Sequence, residues 1–425
     1  MCIINSKAIY LAKIIKGDLF MKLTKRILSL ALAVVMIFGT LGLMSCAQNP
    51  AENNTKIKIG MTGPLTGGAA IYGVAVRNAA TLAVEEINAA GGLKNGLQLE
   101  FVMKDDEHKA EKVAALYASL YEEGMQVSLG TVTTAPGKEF KELAKEDNVF
   151  FITPSATADV IPEHENGFQM CFADSDQGTA SAKYFNENFQ GKKIGVLYKT
   201  DDEYSSGIYS KFMDNISAAL KPADSDIKTF TDSTATTFTQ QITDLADCDV
   251  IFMPIYYGPA STFMKQGVGF IKNDAIYYGC DGFDGITGVD GFDINTIPQE
   301  VSYLSHFNSD APVGTAAGDF IAKYNARFDE EKEPLNQFGA AAYDCVYAIR
   351  DALNKAIDDG KEITADMSAT DMCEILKEVF TSDSFVFHGI TGKCEGTNKS
   401  DISWDENGKV VKEAVKYVVK EKTAQ

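Results

Sequence analysis

The sequence predicts an α/β fold, with two doubly wound parallel-sheet lobes joined by a multi-strand hinge. Short apolar strands alternate with amphipathic helices over residues 57–153, and the same pattern starts again over residues 193–279. Alternation with short loops is typical of a parallel sheet covered by helices on both faces. The later part of the chain has mainly helical patterns, so it indicates no third sheet of this kind.

The individual elements follow from apolar runs and from the glycines that end helices. In the first run the predicted strands cover 57–61, 97–103, 127–130 and 149–153, and the helices cover 74–90, 109–123 and 137–147. In the second run the strands cover 193–198, 226–230, 249–254 and 275–279, and the helices cover 206–220, 238–245 and 259–270. The clearest helix is 74–90, because its apolar residues from Ala75 to Ile87 share one face and Gly91 stops it.

The helical patterns in the last part of the chain indicate how the two lobes are joined. Residues 314–359 and 368–381 have helical patterns, and we expect them to pack back onto the first lobe. The chain then crosses between lobes near residues 173–176, near 304–310 and near the C-terminus. The predicted boundaries are 56–174 plus 306–412 for lobe 1 and 175–305 plus 413–425 for lobe 2. Ligands of such sheets bind beyond the carboxyl ends of the strands, which places the site in the interlobe cleft.

Residues 1–45 have the layout of a secretory signal. Basic residues follow Met21, a stretch of 17 mostly apolar residues covers 27–43, and small residues precede Cys46. A transmembrane anchor is the alternative, but a span needs about 20 apolar residues. Met21 is the better start, so residues 1–20 are interpreted as an over-long gene start. We expect lipidation at Cys46, a lipid-anchored linker over 46–55, and export to the outer face of the cytoplasmic membrane or to the periplasm.

Charge and cysteine spacing exclude several classes of function. The formal net charge is −20 at pH 7, which argues against nucleic acid and anionic lipid as partners because both need basic patches. Six cysteines follow Cys46, none at CxxC spacing, so we expect free thiols rather than a zinc or redox motif. The four histidines lie in unrelated contexts, and no GxSxG or HExxH motif occurs. The sequence therefore predicts that the protein is not an enzyme and uses no cofactor or metal.

Polar and aromatic side chains follow the predicted strands at the ends where a ligand is expected. Lobe 1 offers hydroxyls, helix-start N–H groups and a tyrosine, from Tyr72, Thr133, Thr134, Ser155, Ala156 and Thr157. Lobe 2 offers Tyr204, Tyr256 and Asp281. Hydroxyls and helix-start N–H groups suit a carboxylate, an aspartate suits a cation, and aromatic rings suit an apolar body. An amino acid carries all three kinds of group, so these nine residues are the predicted ligand-binding set.

Structural interpretations compete with each of these assignments. Thr134 and Thr157 also suit helix N-caps, and the tyrosines suit a core. Asp281 can cap a turn, and the aspartate-rich run 281–293 does not fit the EF-hand calcium pattern. Asp105 and Asp106, which follow the second strand, are interpreted as a solvated strand end.

Four stretches resemble the leucine/isoleucine/valine-binding proteins, the receptors of branched-chain amino-acid ABC importers with a type I periplasmic-binding fold. They are "IKIGMTGPLTGGAAIYG", "LGTVTTAPGKEFKELAKEDNVFFITPSATA", "DDEYSSG" and "YYGCDGFDG". The resemblance extends over residues 56–420. It implies that Thr134 and Thr157 bind the ligand carboxylate through hydroxyl and backbone N–H groups. It also implies that the Ser155 carbonyl, the Thr157 hydroxyl and Asp281 bind the ammonium, with the three tyrosines around the ligand side chain.

Two departures from the family are visible. Relatives often carry a disulfide in the first lobe, where this chain has His108 and Thr133. Leucine-binding relatives carry a glutamate in place of Asp281, and an insertion lies around 394–401.

The expected function is that of an extracytoplasmic, monomeric solute-binding protein. It captures an amino acid with a branched-chain or other apolar side chain and delivers it to the permease subunits of an ABC importer. A ligand-sensing subunit of a membrane signalling partner is the alternative function, and an amide or short peptide is the alternative ligand.

Overall fold

Two parallel β-sheets, each covered by helices, form the body of the protein. The computed structural model describes residues 55–328, 332–392, 399–412 and 415–420. The predicted signal segment, Cys46, nearly all of the predicted linker and Cys394 lie outside the described residues. Within the described residues, no helix combines the length and the apolar character that a membrane crossing requires.

The first sheet is parallel throughout. Its strands are β1 (Lys56–Gly63), β2 (Gln98–Asp105), β3 (Val127–Ser128), β4 (Phe151–Thr153) and β5 (Gly167–Gln169), and its helices are α1 (Ala70–Ala89), α2 (Ala110–Glu122) and α3 (Thr134–Glu146). The strand order is β2-β1-β3-β4-β5. Ile59 lies in the middle of the sheet, opposite Phe101 on one side and Val127 on the other, and is buried. This arrangement confirms the predicted doubly wound α/β class.

The second sheet repeats this order. Its strands are β6 (Ile194–Lys199), β7 (Ile227–Phe230), β8 (Val250–Met253), β9 (Ile276–Gly279) and β10 (Glu300–Ser305), and its helices are α4 (Asp174–Asn188), α5 (Glu203–Asn215), α6 (Thr239–Leu245) and α7 (Tyr257–Gly267). The order is β7-β6-β8-β9-β10. In both sheets the first and third strands are neighbours, and the chain reverses its direction of winding between them. The carboxyl ends of β1 and β3, and of β6 and β8, are therefore the two switch points where doubly wound sheets bind ligands.

The tail packs back onto the first sheet as predicted and then returns to the second. Its elements are α8 (Ala316–Arg327), α9 (Gln337–Asp358), α10 (Ala369–Phe380), β11 (Phe387–Gly389), β12 (Ser400–Trp404), β13 (Val410–Val411) and β14 (Val415–Lys420). Helix α9 packs mainly against α1, and β14 pairs antiparallel with β10 at the edge of the second sheet. The predicted helical run over 314–359 is two helices, because Pro334 lies between them and the Asn336 side chain caps α9 by accepting the Gly339 N–H at 3.0 Å.

The sequence patterns missed α4, β5, β10 and the short tail strands. Helix α4 escaped because its buried face is built from small and polar residues rather than from an apolar stripe. Gly178 on this face lies so close to α5 that an added Cβ would meet the Ile208 carbonyl oxygen at 2.6 Å. Two helices can approach this closely because glycine has no side chain at the contact. Hydrophobic periodicity does not detect such a contact.

The thiols of the described cysteines are unpaired and buried. They belong to Cys171, Cys248, Cys280, Cys345 and Cys373. The expectation of free thiols is thus confirmed for these five residues.

Asp344 on α9 supplies the first prediction, since it ties the tail to the core. Its buried carboxylate accepts hydrogen bonds from the backbone N–H of Ile390 and from both the N–H and the hydroxyl of Thr391, at 2.6–3.1 Å. Replacing Asp344 with Ala leaves these buried donors without an acceptor. We expect the free energy of unfolding to fall by about 2–4 kcal/mol in urea denaturation.

Asp358 on the same helix provides the matched control. It is exposed and pairs with Lys94 at the surface, so Asp358→Ala should cost less than about 1 kcal/mol. Equal losses for the two variants would contradict the role given to Asp344.

Candidate functional site

The predicted ligand-binding residues of the two lobes meet at the carboxyl ends of the two sheets. Tyr72, at the start of α1, donates its hydroxyl to the carbonyl oxygen of Gly282 at 2.5 Å. Its ring packs edge-on against Tyr256 and Tyr257, with centroid distances of 5.8 and 4.7 Å. The cleft is therefore closed in this structure, and direct contacts join its two walls.

Asp281 lies at the centre of the second-lobe wall and is fully buried. Its carboxylate accepts hydrogen bonds from the Tyr204 hydroxyl at 2.8 Å and from the Gln177 side-chain amide at 3.0 Å. The Gln177 oxygen in turn accepts the Asp281 N–H at 3.1 Å. Burial raises the pKa of Asp281 to about 7, although both donors favour the ionised form. This carboxylate is held rigidly by neutral groups.

Asp174 is a second buried carboxylate in the same site, and the sequence did not indicate it. It is the first residue of α4, and its Oδ1 atom is buried without a hydrogen-bond partner among the described residues. Burial raises its pKa strongly, the Thr157 hydroxyl opposes this effect, and the negative charge of Asp281 adds to it. From sequence, an aspartate at a helix start is an ordinary favourable interaction with the helix dipole, which hides any other role.

Among the described residues, no lysine or arginine forms an ion pair with either carboxylate. Lys199, on β6 of the second lobe, pairs with Asp202 and Asp232 instead. A pair of buried carboxylates without a cation is costly, since desolvation penalises each charge and they also repel each other. The site is therefore chemically suited to a positively charged ligand group.

The hydroxyl-bearing wall belongs to the first lobe. Thr134 opens α3, and its buried Oγ1 has no hydrogen-bond partner among the described residues. The N-cap position of α3 is Thr133, and no side-chain capping bond is present there. The competing interpretation of Thr134 as a helix cap is therefore wrong. A buried hydroxyl without a partner, beside the N–H groups of a helix start, can receive an anion.

The segment from Ser155 to Thr157 is shaped by the hydroxyl of Thr153. Thr153 Oγ1 donates to the Thr131 carbonyl at 2.7 Å and accepts the N–H groups of Ser155 and Ala156 at 3.3 and 3.1 Å. The Thr157 carbonyl accepts the Asp174 N–H at 2.8 Å. These bonds fix the small residues after β4 and turn the Thr157 hydroxyl towards Asp174.

Stacked tyrosines connect Asp281 to the other end of the cleft. The rings of Tyr204 and Tyr256 are nearly parallel, with centroids 4.7 Å apart. Tyr256 also meets the ring of Tyr72 and, edge-on at 5.7 Å, the imidazole of His108. Gly282 permits this arrangement, because a Cβ there would lie 2.6 Å from the Tyr204 hydroxyl oxygen.

Asp105 and Asp106 organise the loop that carries His108. The interpretation as a solvated strand end is wrong for Asp106, which is buried, whereas Asp105, the last residue of β2, is partly exposed. Asp105 accepts the N–H groups of Leu65 and Glu107 at 2.9 and 3.0 Å. Asp106 is fully buried, accepts the His108 N–H at 2.9 Å, and has its pKa raised by burial to about 6. Both carboxylates accept backbone N–H groups and thereby fix a tight turn beside the cleft.

His108 and Thr133 stand at the places where the sequence predicts the loss of a family disulfide. The structure joins them by a hydrogen bond instead, with 2.8 Å between His108 Nδ1 and Thr133 Oγ1. The loop after β2 therefore remains attached to the start of α3 without a covalent link.

The aspartates of the run 281–293 serve separate purposes. Asp284 accepts the N–H of Gln337 at the start of α9, at 2.7 Å, and so joins the second lobe to the tail. Asp293 caps a short turn by accepting the Asn295 N–H at 2.9 Å. Their carboxylates are engaged locally and differently, as a run without the calcium-binding pattern would suggest.

Comparison with known proteins identifies the family. A model of the family described as "Periplasmic binding protein" matches residues 56–388. The Leu/Ile/Val-binding protein BraC3 of Rhizobium johnstonii is 26% identical over 368 residues, covering 84% of this chain and 93% of the relative. The leucine-, isoleucine-, valine-, threonine- and alanine-binding protein of Pseudomonas aeruginosa is 28% identical over 322 residues, covering 73% of this chain and 81% of the relative.

A solved structure gives the same result for the fold. The branched-chain amino acid transporter substrate-binding protein LivJ of Streptococcus pneumoniae, in complex with isoleucine, superposes with a TM-score of 0.68 at 26% identity. The match covers 86% of this chain and 100% of that protein. The resemblance found in the sequence is confirmed, and the chain belongs to the periplasmic binding protein family.

Proposed function

We propose that this protein is the extracytoplasmic solute-binding protein of an ABC importer and that it captures an amino acid in its interlobe cleft. The observation that carries the amino-acid assignment is the pair of buried carboxylates, Asp174 and Asp281, without a described cationic partner. Removing a carboxylate from water costs several kcal/mol unless a cation accompanies it. A ligand ammonium group supplies that cation, so its binding relieves a cost that the empty site carries.

The opposite wall supports the other half of a zwitterion. The Thr134 hydroxyl and the first N–H groups of α3 are neutral donors, and the positive end of the helix dipole favours a carboxylate there. Thr157 lies between the carboxylate-binding wall and the ammonium-binding wall. Its hydroxyl faces Asp174, and its segment follows β4 on the first lobe. An α-amino acid matches both walls at once.

The rest of the ligand meets aromatic rings. Tyr72, Tyr204 and Tyr256 form contiguous ring contacts across the cleft, and Phe338 extends them behind Tyr72 at a centroid distance of 5.1 Å. Such a wall suits side chains of branched-chain size, and the ligands in the printed names of the relatives point the same way.

The proposal also includes the surroundings of the site. The lobes are assigned as 56–174 plus 306–412 and 175–305 plus 413–425, with ligand-driven closure between them. Residues 1–45 act as the export signal, Cys46 carries the lipid anchor, and the monomeric receptor delivers its ligand to the permease subunits. It performs no catalysis.

Asp281→Ala tests the cation site directly. We expect its affinity for the preferred amino acid to fall at least tenfold, because the ammonium loses its buried counter-charge. Isothermal titration calorimetry measures this, after a thermal-shift screen of the amino acids has identified the ligand. Asp290→Ala, an exposed aspartate on the same segment, is the matched control. Unchanged affinity in Asp281→Ala would reject the assignment, and benzoate, a carboxylate without an ammonium, should not compete.

The pH dependence of stability tests the electrostatics without a ligand. The pKa of Asp281 is about 7 in the folded state, whereas its ordinary value is 3.8. Between pH 3.8 and pH 7, the folded state therefore keeps a proton on this carboxyl group that the unfolded state has lost. This proton contributes to the free energy of unfolding in full at low pH. As the pH rises towards 7, the contribution falls by about 1.4 kcal/mol per pH unit. Asp281→Asn does not titrate, so its stability relative to the unsubstituted protein should rise by about 2–3 kcal/mol between pH 5 and pH 7.5. A pH-independent difference in urea unfolding would refute the raised pKa.

Thr134→Val separates binding from folding. The substitution removes a buried hydroxyl that has no hydrogen-bond partner among the described residues, so stability should stay the same or increase slightly. Ligand affinity should fall about tenfold, because the carboxylate loses a donor. Destabilisation by more than about 1 kcal/mol without a loss of affinity would show that the hydroxyl serves the fold instead.

A further inference from the structure

His108 is separated from Asp281 by the stacked rings of Tyr204 and Tyr256. Its neighbour in space, Thr133, directly precedes Thr134 on the hydroxyl-bearing wall, and its ring meets Tyr256 of the other lobe. The contacts from Asp281 through Tyr204 and Tyr256 therefore lead from the ammonium end of the site to the imidazole. If Asp281 and Thr134 hold the backbone of an amino acid as proposed above, the aromatic wall and His108 are left to contact its side chain.

The backbone at His108 has a strained conformation, which hydrogen bonds from neighbouring residues hold in place. Glu107 and His108 are consecutive non-glycine residues with positive φ angles of 55° and 62°. Residues held in this region cost on the order of 1 kcal/mol or more each, and they persist where the surroundings impose them. Here Asp105 and Asp106 impose the conformation by accepting the two N–H groups at 3.0 and 2.9 Å. Strain of this kind is concentrated at functional sites, and its effect here is to place the imidazole in the cleft wall.

The imidazole has one hydrogen-bonding atom committed and one available. Nδ1 is bonded to Thr133 Oγ1, whereas Nε2 makes no hydrogen bond to another described residue. Burial lowers the pKa of His108, so the ring is neutral near pH 7, with one nitrogen as donor and the other as acceptor. The charged groups that face it across the cleft are Asp202, Lys199 and Asp232, which already pair with one another.

We propose that His108 is a specificity-determining residue for the ligand side chain, and that it favours a hydroxyl-bearing side chain over the hydrocarbon of the same shape. A hydroxyl both donates and accepts, so it matches Nε2 in either tautomer of the ring. Threonine and valine are the isosteric pair that differs in this group. The inference rests on the proposed amino-acid function and adds to it the polarity of the side-chain end.

The size of the effect follows from the hydrogen bond to His108 that valine cannot make. A site built to bond a hydroxyl discriminates against the analogue that lacks it, because the polar group of the site then remains unpaired. His108 is half-buried rather than fully buried, which reduces the penalty. We expect it to contribute about a tenfold preference for threonine over valine, equivalent to about 1.4 kcal/mol.

Two substitutions of His108 separate its two nitrogens. An asparagine amide reaches the position of Nδ1, so His108→Asn can keep the bond to Thr133 but lacks the Nε2 group, and asparagine tolerates positive φ. A glutamine amide reaches the position of Nε2, so His108→Gln restores the outer group. His164→Ala, on the far side of the first lobe beside Glu142, is the control histidine.

The measurement is the ratio of the dissociation constants of valine and threonine, by calorimetry on the full mature chain. We expect the ratio to fall about tenfold in His108→Asn, to be largely restored in His108→Gln, and to be unchanged in His164→Ala. A ratio that is the same in the unsubstituted protein and in His108→Asn overturns the inference but leaves the proposed function intact. If neither these two amino acids nor any other binds the unsubstituted protein, the proposed function fails, and this inference fails with it. If His108→Asn does not fold, the ratio in His108→Gln decides: a large loss there refutes the role of Nε2.

Discussion

The central constraint on this protein is a buried carboxylate that has only neutral partners. Asp281 is held by a tyrosine hydroxyl and a glutamine amide, which fix its direction without neutralising its charge. Asp174 adds a second buried carboxyl group at the start of α4, and burial raises its pKa strongly. Because neutral donors compensate for desolvation only partly, the empty site retains an unfavourable electrostatic free energy that a bound cation removes. Much of the surrounding architecture, from Gly282 to the stacked tyrosines, keeps that carboxylate in place.

The two-lobed fold places this buried carboxylate opposite a wall of hydroxyl and N–H groups. Each lobe has the same strand order, so each presents a switch point, and the two switch points carry opposite chemistry. The contacts that cross the cleft directly include the Tyr72–Gly282 hydrogen bond and the salt bridge between Lys138 and Glu203. Ring contacts of Tyr72 with Tyr256 and Tyr257 also cross the cleft, and a zwitterion that bridges the two walls would add charge-assisted contacts to them. A ligand shifts the equilibrium towards closure by its differential affinity for the closed state.

In the first lobe, a network of hydrogen bonds holds the loop after β2 against the start of α3. At the two positions where the resemblance implies a family disulfide, this chain has a histidine–threonine hydrogen bond, supported by Asp105 and Asp106 at a strained turn. The replacement keeps the loop attached to α3 and also introduces a hydrogen-bonding ring next to the aromatic wall. A disulfide restrains the same two segments without offering a donor or acceptor of comparable strength to a ligand. The histidine at this position therefore offers a hydrogen-bonding group that a disulfide lacks.

The sequence by itself determined the doubly wound α/β class, the family and the chemical division between the lobes. These features depend on local patterns: alternating apolar runs, glycine stops, and the residue types that directly follow each strand. It also indicated residues that the structure brings together, such as Tyr72 with Tyr256 and Tyr204 with Asp281. Tertiary structure decided the role of Asp174, the burial of Asp106, the helix α4 with its small and polar buried face, and the bond between His108 and Thr133. Each of these depends on distance between segments far apart in the chain. An aspartate at a helix start or a strand end has the same sequence signature whether it faces water or is buried, and only tertiary packing distinguishes the two cases.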